Sequence, residues 1–117
     1  MILRNLKDID NFSCINNNVE NLINKHPDRI PVIVNPINRT QPLINKSKYL
    51  VPKDMTVAQF IHTIRRRLIN FSHDQALFLF INNTIPKNSD SMISIYEKQK
   101  KDDKVLYVHY SIENAFG

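Results

Sequence analysis

Glycine lets a backbone turn left-handed at no steric cost, and this chain carries only one, its last residue, Gly117. A glycine-rich phosphate loop is therefore excluded, and the tight-turn signals fall to asparagine and proline, most clearly at Asn82-Asn83. At 117 residues the chain fits one domain with one real core. Its 42% hydrophobic and 23% charged residues lie in the ordinary globular range. Cys14 is a lone cysteine, which precludes an internal disulfide and fits a reducing, cytoplasmic address. His26, His62, His73 and His109 lack the close Cys/His spacing of a zinc site, so no metal is expected. The longest apolar run, residues 76–81, is far too short to span a bilayer, and no secretory signal is visible at the N-terminus. The net charge of +5 permits acidic partners, anionic lipid or nucleic acid without choosing among them.

Along the chain, Ile2, Leu3, Leu6 and Ile9 have the spacing of a short amphipathic helix. Phe12, Ile15, Val19, Leu22 and Ile23 share one face of a second helix, which must stop before Pro27. Ile30-Pro31-Val32-Ile33-Val34 is a β-branched strand, and the polar stretch 35–47 a loop. Lys48-Tyr49-Leu50-Val51 is a second strand closed by Pro52, and proline's missing donor places it at a sheet edge. Thr56-Val57-Ala58-Gln59 is a capping box opening a helix with the stripe Val57, Phe60, Ile61, Ile64 and Leu68. Arg65, Arg66 and Arg67 close that helix favourably for its dipole. The run 76–81 is apolar enough to be read as a strand through the core, followed by the Asn82-Asn83 turn. Ser89, Asp90 and Ser91 offer N-caps to a helix bearing Met92, Ile95 and Tyr96, and a last strand covers 105–110.

The order is two helices, then strand, strand, helix, strand, helix, strand. This predicts an α+β fold, a ubiquitin-like β-grasp: a four-stranded mixed sheet with helices, preceded by two N-terminal helices. It is one domain over 1–117, divided into a helical extension at 1–26, the β-grasp at 27–110 and a tail at 111–117. The motifs also resemble a known family. His26-Pro27-Asp28-Arg29-Ile30-Pro31-Val32-Ile33-Val34 resembles the first-strand signature of the autophagy-related protein 8 family, the GABA-receptor-associated and microtubule light-chain-3 modifiers. Lys48-Tyr49-Leu50-Val51-Pro52, Thr56-Val57-Ala58-Gln59-Phe60 and Ile64-Arg65-Arg66-Arg67 resemble its second strand and central helix. Ala76-Leu77-Phe78, Ile81-Asn82-Asn83 and the ending Phe116-Gly117 follow in the family order.

The resemblance implies a modifier attached through the carboxylate of Gly117, activated as an acyl-adenylate and then a thioester. A residue without Cβ threads a narrow channel and leaves its carboxylate unhindered. The implied product is an amide with phosphatidylethanolamine, the only attached group expected, which moves a cytoplasmic protein onto autophagosomal or related intracellular membranes. Implied partners are the activating and conjugating enzymes of lipidation, the membrane, and adaptor or receptor proteins with a short aromatic and aliphatic motif. Such a motif would add a strand beside residues 48–52. One pocket is expected from Leu22, Pro31, Ile33, Lys48, Leu50 and Val105, the other from Tyr49, Val51, Pro52, Met55, Phe60, Ile64 and Arg67. A stripe at helical spacing is usually core, which applies to Phe60 and Ile64. Tyr49 and Lys48, on the presumed edge strand, are the better contact candidates.

Three other readings compete with this one. Arg65, Arg66 and Arg67 with Lys98, Lys100, Lys101 and Lys104 could form a basic footprint, but no RNA-binding signature accompanies them and no nucleic-acid partner is expected. Cys14 has apolar surroundings that fit packing better than nucleophilic catalysis, and Asp102-Asp103 sits in a charged connection, so no enzyme activity is expected. The alternative that stays open is a ubiquitin-like protein-interaction domain that is never conjugated. It shares the fold and needs no free Gly117.

Overall fold

A computed structural model describes residues 7–8, 16–38, 44, 47–68 and 74–114. In chain order the elements are β1 (Lys7–Asp8), α1 (Asn16–Lys25), β2 (Arg29–Pro36), β3 (Lys48–Pro52), α2 (Val57–Arg67), β4 (Gln75–Phe80), α3 (Met92–Gln99) and β5 (Leu106–Asn114). The sheet order is β1-β3-β2-β5-β4. A mixed four-stranded sheet, parallel between β2 and β5 and antiparallel elsewhere, gains β1 as a short fifth strand against β3. This is the ubiquitin-like architecture.

β2 is covered on both faces, which explains its unbroken β-branched run. Ile30, Val32 and Val34 enter the main core with Tyr49, Val51, Leu106, Val108 and Tyr110, beneath Phe60 and Ile64 of α2 and Met92 and Ile95 of α3. On the other face Ile33 joins Val19 of α1 and Val105, with Leu22, Ile23 and Tyr107 packed against them. Pro31 costs the sheet nothing. It stands opposite Leu50, and the parallel ladder with β5 begins one residue later, at Val32.

Local signals set the ends of the elements. The capping box of α2 is complete: the Gln59 N–H donates to Thr56 Oγ1 at 3.2 Å and the Thr56 N–H to Gln59 Oε1 at 3.0 Å. Ser91 caps α3, its hydroxyl accepting from the Ser94 N–H at 3.3 Å. Asn82 and Asn83 have φ of 51° and 64°, the pair of left-handed residues of a type I′ turn, closed by reciprocal Ile81 and Thr84 bonds of 2.8 and 3.0 Å. Lys104, at φ 65°, makes the turn before β5, and its carbonyl accepts from the Tyr96 hydroxyl at 2.7 Å.

Four expectations are corrected. Lys7–Asp8 is a strand, not part of a helix, because it pairs with β3; the other residues of that expected helix, together with Phe12, Cys14 and Ile15, lie outside the described residues. The second expected N-terminal helix is α1. β4 is an edge strand rather than a core strand: Leu77 and Leu79 point inward while Phe78 is 37% exposed. β5 runs on to Asn114, because Gln75, Ala76, Leu77 and Phe78 pair with Asn114, Glu113, Ile112 and Ser111, so the expected tail begins later than residue 111. Finally, β3 is not the outermost strand, since β1 flanks it at Tyr49 and Leu50.

Candidate docking groove and C-terminal strand

The residues expected to line two pockets gather around β3, on opposite faces of the sheet. On the α1 face, Pro31 and Ile33 stand opposite Leu50 and Lys48. Ile33 and Val105 meet Val19, and Leu22 closes over them. Leu22 and Lys48 are half-buried, whereas Pro31, Ile33, Leu50 and Val105 are buried. On the α2 face, Tyr49, Val51, Met55, Phe60 and Ile64 belong to the main core, none more than 4% exposed. Pro52 is buried beside them at the strand end. Tyr49 is thus not the surface contact expected of it: it is fully buried, with the Arg67 guanidinium 5.1 Å from its ring centroid. Of the thirteen residues expected to bind, Leu22, Lys48 and Arg67 are the ones that reach solvent.

The backbone of β3 defines what the edge can bind. Val34 N–H donates to the Ser47 carbonyl at 2.7 Å and Lys53 N–H to the Asp28 carbonyl at 3.1 Å. Antiparallel bonding alternates. With the observed register, the pairs Ile30–Val51 and Val32–Tyr49 bond inward, and the backbone groups of Lys48 and Leu50 face outward, away from β2. Pro52 can offer only its carbonyl there. Arg29, which pattern reasoning left without a role, donates from its guanidinium to the Leu50 carbonyl at 3.1 Å. Val19, Ile23 and Tyr107, also unassigned, complete the apolar patch under α1. Their signal was the helical stripe through Val19 and Ile23, which ties that face of α1 to the sheet.

Several of the basic residues are engaged within the molecule. Arg67 lies over Tyr49, Lys100 Nζ is 5.2 Å from the Tyr96 ring centroid, and Lys104 pairs with Glu20 at 3.3 Å. The last pair ties α1 to the turn before β5, although such an exposed ion pair contributes at most about 1 kcal/mol. Among the described residues, no group of three or more His, Cys, Asp or Glu side chains is placed to hold a metal ion. β5 carries the chain to Asn114, three positions before Gly117, which itself lies outside the described residues.

The family model for "Autophagy protein Atg8 ubiquitin like" matches residues 15–117. The chain belongs to the Atg8 family. It is 49% identical over 94 residues to autophagy-related protein 8e of Arabidopsis thaliana, covering 80% of this chain and 76% of that one. It is 48% identical over 99 residues to autophagy-related protein 8 of Mycosarcoma maydis, covering 84% and 83%. Among solved structures, Trypanosoma brucei ATG8 superposes with a TM-score of 0.75 at 33% identity, over 95% of this chain and all of that one. Plasmodium falciparum Atg8, solved in complex with a Plasmodium falciparum Atg3 peptide, gives a TM-score of 0.74 at 32% identity, over 87% and 92%. The Atg8 match begins just before α1 and takes in every element from there on, leaving β1 outside it.

Proposed function

We propose that this Atg8-family protein is a non-catalytic modifier joined through the Gly117 carboxylate to the amine of phosphatidylethanolamine. On autophagosomal or related membranes it then recruits adaptors through the groove beside β3. The observation that carries this reading is the family match, which spans residues 15–117 and so includes Gly117. In the proposed chemistry, ATP activates the carboxylate as an adenylate with loss of pyrophosphate. A conjugating-enzyme thiol displaces AMP, and the lipid amine displaces the thiol to leave an amide. Among the described residues no helix is long and apolar enough to cross a membrane. In this reading the attached acyl chains supply the membrane hold, at about 0.8 kcal/mol per buried methylene.

The Atg3 peptide held by the Plasmodium relative supports a peptide partner for this chain too. The outward backbone groups of Lys48 and Leu50 provide a ladder for one, and Leu22, Lys48 and Arg67 provide accessible side chains. The test is intact mass after incubation with family activating and conjugating enzymes, ATP and phosphatidylethanolamine liposomes. The expected result is a gain of one lipid, abolished by Gly117→Ala with circular dichroism unchanged. A wild-type chain that gains nothing, while a control modifier reacts in the same mixture, would leave an unconjugated docking domain in its place.

A further inference from the structure

The edge that a docked peptide needs is already occupied by this chain. Lys7 lies opposite Leu50 and Asp8 opposite Tyr49 in an antiparallel pairing. Leu50 is the residue in the middle of β3 whose backbone groups point away from β2, so β1 takes the position that an added strand would take. Pro52 has no N–H, which leaves Lys48 and Leu50 as the outward donors of this strand. A peptide strand and β1 therefore cannot both pair with Leu50.

We infer that β1 is an intramolecular occupant of the β3 edge of the docking groove, and that a peptide partner binds by displacing it. The inference rests on the groove reading proposed above. Three features fit an occupant that leaves readily. Among the described residues the pairing is two residues long. It lies before residue 15, outside the part of the chain that matches the family model, so the occupant is separate from the shared domain that forms the groove. The two residues are a lysine and an aspartate, and charged residues on an edge strand discourage further strands from adding to it. The occupied state thus also guards β3 against pairing with other copies. The apparent affinity for a peptide falls in proportion to the fraction of molecules in which the edge is open.

The full-length chain and its Lys7→Pro, Asp8→Pro double variant test this. Prolines at both positions remove the donors of β1 in either bonding phase, and β1 lies outside the stretch that matches the family model. Amide exchange by NMR reads the edge directly. The Leu50 amide is expected to exchange faster in the variant, while amides of β2 and β5 keep their protection and report an intact fold. Calorimetry with a short synthetic peptide bearing a tryptophan and a leucine anchor reads the competition. The variant is expected to bind about tenfold tighter, equivalent to about 1.4 kcal/mol. Equal Leu50 exchange in the two proteins would overturn the occupancy even if the peptide binds. Faster Leu50 exchange with equal affinities would overturn the competition. Faster exchange with no peptide binding by either protein would instead remove the groove reading, and the competition with it.

Discussion

Among the described residues of this nearly glycine-free chain, three with side chains occupy left-handed backbone: Asn82, Asn83 and Lys104. Asparagine tolerates that region because its short amide can bond locally, whereas a β-branched residue collides with its own carbonyl. Asn83→Val is accordingly expected to lower stability by about 1–2 kcal/mol in urea unfolding, with Asn83→Gly close to wild type. The turn was legible from the sequence because its chemistry is contained in two adjacent residues. Tyr49 was not, because strand position alone does not tell which face of the sheet a side chain serves. Register does, and it sends Tyr49 inward beneath Arg67. Removing its ring would leave a core cavity costing about 3–5 kcal/mol, so the accessible Lys48 is the better probe of docking.

At the scale of elements, α2 shows how far local rules reach. Its capping box is present with both reciprocal bonds, and Thr56→Ala is expected to cost about 1 kcal/mol in chemical denaturation. Most of that loss should remain when Gln59→Ala is already present, since Thr56 Oγ1 accepts from the Gln59 backbone N–H, which alanine keeps. β2, β3, α2 and α3 were readable for the same reason: their signals lie within their own residues. β4 misled because six apolar residues in succession mask the alternation that distinguishes an edge strand. β5 outran its expected end because its outward positions, Ser111 and Glu113, are polar, and pairing with β4 rather than local propensity extends it. β1 is the extreme case. Nothing in Lys7-Asp8 resembles a strand, and only its distant partner makes it one.

Across the whole molecule, α3 is tied to the start of β5 through the Tyr96 hydroxyl, which donates to the Lys104 carbonyl at 2.7 Å. Burial, and secondarily the negative charge of Asp103, raise the Tyr96 pKa above its ordinary value of 10.0. Burial likewise raises that of Tyr110, against the opposing effect of its bond to the Ile44 backbone. With the folded values raised, the folded state holds protons that the unfolded chain releases. Their contribution is fully present below pH 10.0 and is lost as pH rises through the raised values. The urea midpoint should fall above pH 10.0, and Tyr96→Phe should fall less steeply while starting about 1 kcal/mol lower for the lost hydrogen bond. The overall architecture was legible because element order is enough to specify it. The state of the groove was not, since it depends on where two residues near the N-terminus pair with a strand some forty positions away.

The central position of β5 has a mechanical consequence. It lies between β2 and β4, held by five paired positions on one side and six on the other. A pull on the C-terminus runs along the strand, so those bonds are loaded together in shear instead of being opened one at a time like a zipper. A copy tethered to a membrane by its end and burdened with cargo at β3 would therefore take the tension across two ladders at once.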